Sequence, residues 1–365
     1  MRRTPGPDGR VIPVIRLGAG QGPTGWPRVA AYGRYVWVTW AEQRDGQFQI
    51  RLAHFHQEKF LKVETVSTGT GDAIRPVIAL DASQTPWVAW EERRKRHFTV
   101  LVRRMSRFLK SHPWVVDETG ELNLRPALVG GPGKSVTIAW DHYENGAYDI
   151  RLRRVLERKM EPPVWITRDD YLDQAPALQI DAVGRTWIAW HSNRPSEGAA
   201  SQAPRAGRSL QIAALEQGSL RPPAAGQPPT LPAMPGRLEL DERLEFPTLA
   251  QDRAGRLFLF ARRGQGFVAL HLSGDGWSAP IANVVEVNRK LGRVKRLPVT
   301  EIFAGSDDLV PGLHGHAVLA FHCRAKRSKR PVLELGAAAL DEVGENAQVA
   351  SAPSLVQRGA VSREA

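Results

Sequence analysis

The sequence lacks the features on which several structural classes depend. It has one cysteine among 365 residues, Cys323, which excludes an internal disulfide and which we interpret as a packed strand residue. No apolar run is long enough to cross a membrane, and the N-terminus, Met1 to Gly9, has no apolar segment of the kind a signal peptide needs. We therefore expect a cytoplasmic protein with no membrane span, or an extracytoplasmic module if the chain belongs to a longer precursor.

The chain contains a repeat of about 50 residues. The segment Pro76 to Asp81, a turn and Trp87 to Trp90 reappear as Pro176 to Asp181 and Trp187 to Trp190. The first four repeats open 49, 50 and 50 residues apart and a weaker copy follows, at Pro27, Pro76, Pro126, Pro176 and Pro247. Four short strands in such a period are typical of a β-propeller. We predict an all-β chain of four-stranded antiparallel blades.

The alternation of apolar and polar residues predicts how each blade is filled. In the third strand of the third repeat, Ile150, Leu152 and Val155 are expected to pack while the intervening arginines reach solvent. The paired tryptophans of the second strands are expected to be core residues rather than sugar-stacking surfaces. The segment from Pro113 to Asp117 is predicted as a fourth strand.

The repeat count predicts six blades over residues 11–341, starting near residues 27, 76, 126, 176, 247 and 298. The last copy lacks a clear fourth strand, and we expect residues 11–17 to supply it and to close the ring. Residues 192–236, rich in Pro, Ala and Gly around a central segment, are predicted to be a mobile insertion in blade four. Residues 1–10 are predicted to be disordered and residues 342–365 to be a C-terminal tail.

The chain is basic, with a formal net charge of +12 that arises mainly from arginine. We interpret most of this charge as a solvated rim, while attraction to an acidic glycan stays open. Nucleic-acid binding is not expected, because most tryptophans fall at buried strand positions and so cannot stack on bases.

The connections between blades are expected to carry the functional site, at the mouth of the central channel. Residues beside the entrance prolines project there, and Arg28, Arg75 and Arg125 could converge on one anion with Trp26 stacking beside them. The second strands end at the same face and add carboxylates and imidazoles: Glu42, Glu91, Glu92, Asp141, His142 and His191. Arginines that bind a carboxylate beside a carboxylic acid that protonates a leaving oxygen would suit an acidic sugar. We predict no metal and no cofactor, since His316 and His322 fall at opposite ends of one strand.

The Asp-x-x-Gly-Arg-Thr-Trp turn from Asp181 to Trp187 and the Ile-Arg-Pro segment at Arg75 distantly resemble the sialidase-like propellers. That resemblance implies a six-bladed ring with an arginine cluster that grips a substrate carboxylate. The turn has one residue more than the family's pattern between Asp and Gly. No residue matches the family's tyrosine nucleophile with its paired glutamate, although Tyr171 and Tyr143 are available.

The repeats at Trp87 and Trp187 also resemble those of uncharacterised bacterial six-bladed propellers built on Pro-x-Leu-x-x-Asp-x-x-Gly-x-x-Trp. That resemblance implies a binding or scaffolding module. Our first expectation is therefore a non-catalytic, monomeric propeller that binds a protein partner or an anionic glycan through Arg28, Arg75, Arg125 and Trp26. The alternative is a sialidase-like glycoside hydrolase acting on an acidic sugar, with Asp141 or Glu91 as general acid and Tyr171 as nucleophile.

Overall fold

A computed structural model describes most of the first two thirds of the chain and the strands of the remainder. The described residues are 2–5, 11–14, 22–56, 59–94, 97–106, 111–182, 184–193, 209–215, 244–251, 257–263, 266–273, 276–277, 281–282, 299–304, 316–324 and 331–339. Within these ranges every regular element is a β-strand, and no helix is long and apolar enough to span a membrane.

The strands form successive antiparallel sheets, which we number in chain order. Sheet 1 contains β3 to β6 (Thr24–Tyr32, Tyr35–Arg44, Gln47–His56 and Lys59–Thr65). Sheet 2 contains β7 to β10 (Ala73–Leu80, Pro86–Arg94, His97–Arg104 and Trp114–Val115). Sheet 3 contains β11 to β14 (Leu122–Gly130, Ser135–Glu144, Ala147–Leu156 and Val164–Trp165). Each is a four-stranded meander of the kind that forms a propeller blade.

The later sheets follow the same order. Sheet 4 contains β15 to β17 (Gln174–Ile180, Thr186–Ser192 and Ser209–Leu215). Sheet 5 contains β18 to β22 (Leu244–Gln251, Leu257–Arg263, Gly266–Ser273, Gly276–Trp277 and Ile281–Ala282). Sheet 6 contains β23 to β25 (Val299–Ala304, His316–Arg324 and Pro331–Ala339). The all-β architecture and the propeller-like sheets are therefore confirmed.

Two-residue turns set the register of the central hairpins. Asp45-Gly46 joins β4 to β5 and Asn145-Gly146 joins β12 to β13, and all four residues have positive φ. Asn-Gly and Asp-Gly are the pairs that such turns favour, because their twist matches that of the strands. The turn at Asn145 consequently pairs Tyr143 with Tyr148 across the two strands.

The hydrophobic core lies between successive sheets. One cluster joins sheets 3 and 4, where Ile150 and Leu152 pack against Ile188 and Trp190. The prediction for the third strand of sheet 3 is confirmed for its apolar residues, since Ile150, Leu152 and Val155 are all buried. It is wrong for Arg151, which is also buried and ion-paired.

The repeated aspartate and tryptophan hold a turn together at the end of the sheets opposite to the entrance prolines. The Asp181 carboxylate accepts hydrogen bonds from the Arg185 amide at 2.8 Å and from the Trp187 indole at 2.9 Å. Asp81 accepts the equivalent bonds from the Thr85 amide and the Trp87 indole, both at 3.0 Å. The paired tryptophans are buried, as predicted. The repeat motif is thus a structural device.

The ring was expected to close where the two ends of the chain meet. Sheet 6 contacts β3 of sheet 1 as well as β18 of sheet 5. In the described residues, β2 (Val11–Val14) pairs with β1 (Arg2–Pro5), which lies within the segment predicted to be disordered, and no strand of the N-terminus pairs with β25. Six blades and closure by residues 11–17 are therefore not confirmed.

The predicted insertion is described only at its start and in its middle, where Ser209–Leu215 forms β17, the third strand of sheet 4. Its remaining stretches, 194–208 and 216–236, lie outside the described residues, and so does the predicted tail, 342–365.

Candidate active site

The first strand of each of the first five sheets is interrupted just before its entrance proline. The residue before the proline has a positive φ, 46° to 56°, and the pairing with the second strand shifts register there. We call these five residues the bulge residues: Trp26, Arg75, Arg125, Ala175 and Phe246. A left-handed conformation is unusual for residues other than glycine, and a following proline adds a further steric restriction. Such strain tends to mark functional positions.

A polar side chain of the preceding sheet holds three of these bulges through their backbone amides. The Arg125 amide donates to Glu91 Oε1 at 2.7 Å, and the Ala175 amide donates to Asp141 Oδ1 at 2.8 Å. The Phe246 amide donates to His191 Nδ1 at 3.2 Å, so the neutral imidazole carries its proton on Nε2. The three acceptors, Glu91, Asp141 and His191, each directly follow the last tryptophan of a second strand. The same contact therefore recurs at three interfaces between sheets.

Two arginines form ion pairs with the same carboxylates from the solvent side. Arg75 Nη1 lies 2.8 Å from Glu91 Oε2, and Arg125 Nη1 lies 2.5 Å from Asp141 Oδ2. Arg125 therefore joins the two carboxylates, because its amide binds Glu91 while its guanidinium binds Asp141. The arginine side chains are 42% and 27% exposed, whereas both carboxylates are fully buried. Solvent or a ligand therefore reaches the arginines first, and the arginines cover the carboxylates.

Burial changes the acidity of both carboxyl groups. Desolvation raises the pKa of Asp141 to about 7, against the opposing effect of the Arg125 charge. Desolvation also raises the pKa of Glu91, with Arg75 opposing it. A carboxyl group whose pKa lies near neutrality can carry a transferable proton under physiological conditions, as a general acid must.

Aromatic rings accompany the two arginines. The Arg75 guanidinium lies 5.8 Å from the centre of the Trp26 ring, and the Arg125 guanidinium lies 5.8 Å from that of Tyr148. The Tyr143 and Tyr148 rings are 4.7 Å apart, and burial raises the pKa of Tyr148. Rings beside cations form a surface suited to a sugar, which offers both apolar faces and polar edges.

The second set of strand-end residues points to the opposite sheet faces and is engaged elsewhere. Glu42 pairs with Arg44, and Glu92 accepts a hydrogen bond from the Trp90 indole. His142 Nδ1 lies 2.9 Å from Asn123 Oδ1 and 3.5 Å from Asp117 Oδ2. Because neighbouring strand residues alternate in direction, the six predicted polar groups divide into two sets instead of meeting in one cluster.

The structure places the other predicted residues as follows. Arg28 follows its entrance proline and occupies the position of Val77 and Ala127, so the first sheet's counterpart of Arg75 and Arg125 is Trp26. Burial lowers the pKa of Arg28 to about 10, and its guanidinium donates to the Pro27 carbonyl. Tyr171 lies in the connection before β15, where its amide binds Asp169.

Three carboxylates near Tyr171 offer oxygen atoms within 4.8 Å of one another: Asp149, Asp169 and Asp173. Carboxylate oxygens are ligands for Ca²⁺ or Mg²⁺. Asp149 accepts the Asp169 amide, and Asp173 accepts the Trp190 indole. These hydrogen bonds account for the arrangement, and we assign no metal to it.

A cleft of about 760 Å³ opens between sheets 1 and 2 at the same end of the strands. Its walls are the Asp45 turn, the Gly69 to Asp72 connection and the end of β8 from Glu92 to Arg94. None of the four residues Arg75, Glu91, Arg125 and Asp141 lines this cleft, so it is distinct from the candidate site.

Sequence reasoning placed Phe246 at this face, beside its entrance proline, but gave it no role, and it did not single out Tyr148. Tyr148 could have been found, because the Asn145-Gly146 turn predicts its cross-strand pairing with Tyr143. Phe246 precedes an entrance proline just as Arg75 does, but its contact with His191, at 5.2 Å between ring centres, depends on how two sheets meet.

Comparisons with known proteins were made on sequence and on structure. No protein-family model matches the chain, and no curated protein matches it. Solved structures do match. An α-L-arabinofuranosidase of Fusarium graminearum, family GH93, in complex with arabinobiose has a TM-score of 0.54 at 8% identity, over 90% of this chain and 97% of that one.

Two further matches are similar in extent. The Penicillium chrysogenum α-L-arabinanase complexed with arabinobiose has a TM-score of 0.53 at 9% identity, covering 88% of this chain and 94% of that one. A PL25 ulvan lyase bound to -[GlcA(1-4)Rha3S]- has a TM-score of 0.50 at 8% identity, covering 92% and 84%. At such identities the likeness shows a propeller-like fold. No sequence match supports the resemblance of the repeat motif to a particular family.

These matches correct our first functional expectation, a non-catalytic propeller that binds a protein partner or an anionic glycan. That expectation rested on the resemblance of the repeats to those of uncharacterised bacterial propellers, which implied a binding or scaffolding module. The matched arabinanase and arabinofuranosidase are covered over 94% and 97% of their chains, so the shared fold makes up nearly all of each enzyme. A propeller of this extent can therefore be a complete enzyme, and the expectation of a non-catalytic scaffold is not retained.

Proposed function

We propose that this chain is a glycoside hydrolase that acts on an acidic glycan at the site formed by Arg75, Glu91, Arg125 and Asp141. The observation that carries the proposal is the pair of buried carboxyl groups, Glu91 and Asp141, which meet at Arg125. Glycoside hydrolysis generally uses two carboxyl groups, one as a proton donor and one as a base or nucleophile. The fold that the chain shares with the arabinan-cleaving enzymes agrees with this chemistry.

Arg75 and Arg125 bind the acidic group of the substrate. Both arginine side chains are partly exposed and lie over aromatic rings, so a ligand can reach each guanidinium group from solvent. A guanidinium binds a carboxylate through two parallel hydrogen bonds. The ulvan lyase with the same fold was solved with a glucuronic acid unit bound, which is a substrate of this chemical class.

Asp141 supplies the proton. When Arg125 turns to the substrate, the Asp141 carboxyl group is uncovered and its proton passes to the glycosidic oxygen as the bond to the anomeric carbon breaks. Water adds to that carbon and loses its proton to the Glu91 carboxylate, so that atoms and charge balance. The pKa of Asp141, about 7, keeps a large fraction of this group protonated at neutral pH.

The test measures release of reducing ends from oligosaccharides that contain hexuronic acids, and from the same compounds with their carboxyl groups reduced to alcohols. We expect cleavage of the acidic substrates only. Asp141→Asn should lower kcat by about 10² to 10⁴, and Arg75→Ala should raise KM. Arg34→Ala, an exposed arginine at the opposite end of sheet 1, is the matched control. Equal kcat in the parent and Asp141→Asn would refute the assignment.

A further inference from the structure

Four of the five bulge residues carry a large side chain and one does not. Trp26, Arg75, Arg125 and Phe246 have φ values of 50°, 48°, 46° and 52°, and Ala175 has the same conformation at 56°. The five backbones are therefore equivalent, although the side chain of the fourth is reduced to a methyl group. The five sheets therefore present four kinds of side chain from one backbone conformation.

The bulge directs these side chains toward the neighbouring sheets at the entrance-proline end. Arg75 reaches back over Trp26, and the Phe246 ring packs edge-on against His191 of sheet 4. Phe246 is also 39% exposed, which is unusual for a phenylalanine beside a buried histidine. A β-bulge commonly serves to redirect a side chain in this way.

Ala175 consequently lies where the row of large side chains is interrupted. In chain order it stands between Arg125 and Phe246, and its amide binds Asp141. Ala175 is only 8% exposed, so its side chain does not project into solvent as that of Phe246 does. A ligand above it would have a cation on one side, an exposed aromatic ring on the other, and the proposed proton donor adjacent.

We propose that the acidic sugar unit of the substrate lies over Ala175, between Arg125 and Phe246, and that the small side chain at residue 175 determines which glycan the site accepts. This inference rests on the proposed function and specifies its sugar subsite. The sugar's acidic group faces Arg125, and its apolar ring face packs against Phe246, as sugar rings pack against aromatic side chains.

The side chains at the equivalent bulge positions indicate which substitutions of Ala175 test this subsite. Ala175→Arg and Ala175→Phe place at sheet 4 the side chains that sheets 3 and 5 already hold in the same backbone conformation. Ala175→Gly keeps the space open and also tolerates a positive φ. Phe246→Ala removes the proposed aromatic contact, with Phe60→Ala, an exposed phenylalanine on β6, as its matched control.

The measurements are KM for a hexuronate oligosaccharide, its dissociation constant by calorimetry, and the melting temperature of each variant. We expect Ala175→Phe and Ala175→Arg to weaken binding about 10- to 100-fold, and Ala175→Gly to weaken it less than either. Phe246→Ala should weaken binding about tenfold, and Phe60→Ala should not change it. Because Phe246→Ala adds no bulk, it tests the subsite even if the larger side chains at residue 175 prevent folding.

The outcomes separate this inference from the proposed function. A folded Ala175→Phe or Ala175→Arg variant that binds as tightly as the parent, or an unaltered Phe246→Ala variant, overturns the subsite while cleavage by the parent still supports the hydrolase. A parent that binds hexuronate oligosaccharides without cleaving them, and loses binding in Ala175→Phe, overturns the hydrolase and supports the subsite. A parent that neither binds nor cleaves overturns both.

Discussion

The Arg125 amide donates a 2.7 Å hydrogen bond to the Glu91 carboxylate, which belongs to the preceding sheet. The bond fixes the strained backbone of one sheet by means of a side chain from its neighbour. Its counterparts at Ala175 and Phe246 repeat the arrangement around the site. The candidate site is therefore built at the interfaces between sheets.

Removal of the Glu91 carboxylate should destabilise the protein. Glu91→Ala leaves the Arg125 amide and the Arg75 guanidinium without this acceptor, which we expect to cost about 1–3 kcal/mol in the free energy of unfolding. Glu91→Gln keeps an oxygen for the amide and should lose less. Urea unfolding at neutral pH measures the difference, and equal stabilities of the alanine and glutamine variants would contradict this role of the bond.

Asp141 should make stability fall as pH rises from about 4 to about 7. Its pKa is raised from 3.8 to about 7, so the folded state holds a proton that the unfolded state has lost in this interval. The free energy of unfolding then decreases with pH, by an amount on the order of 4 kcal/mol for this group. The raised pKa of Glu91 acts in the same direction.

The Asp141→Asn variant tests this dependence by urea unfolding across the interval. The variant should have a flatter profile than the parent, whereas Asp170→Asn, at an exposed aspartate, should keep the parent's slope. Parallel profiles for the parent and Asp141→Asn would mean that Asp141 does not hold its proton in the folded protein.

Asp117 should show the opposite dependence at lower pH. Burial by itself would raise the pKa of its carboxyl group, but hydrogen bonds from His142 and Thr119 and the charge of Arg151 lower it to about 2. The resulting stability is present above about pH 4 and is lost as pH falls to about 2. Asp117→Asn should therefore cost on the order of 2 kcal/mol at pH 7 and little at pH 2.

The exposed neighbour Glu118 provides the control for Asp117, since Glu118→Gln should leave acid unfolding unchanged. If Asp117→Asn lowered stability equally at both pH values, the effect would come from packing and not from the ion pair with Arg151.

The repeat turn should depend on the pair formed by Asp181 and Trp187. Asp181→Ala removes the acceptor of the Arg185 amide and of the buried indole, and should lower the free energy of unfolding by about 1–3 kcal/mol. A double-mutant cycle with Trp187→Phe should give a coupling energy of about 1 kcal/mol. Activity toward glycans should remain, because this turn lies at the opposite end of the strands. Additive effects of the two substitutions would show that the indole bond contributes nothing.

The amino-acid sequence by itself determined the repeating architecture of this protein. A 50-residue period, strand alternation in β13 and Asp-Gly and Asn-Gly turns are local signals, and local backbone preferences are enough to convert them into hairpins and sheets. The buried tryptophans and the polar end of the strands could be predicted for the same reason.

Only the tertiary structure decided which residues form the candidate site. The sequence predicted Arg28 beside Arg75 and Arg125, but the bulge places Trp26 in that position and Arg28 two residues further along. It also predicted a solvated Arg151, which instead pairs with Asp117 from a segment 34 residues away. The partner of a side chain in a neighbouring sheet depends on distances between segments that no local pattern encodes. The same is true of the burial that raises the pKa of Asp141.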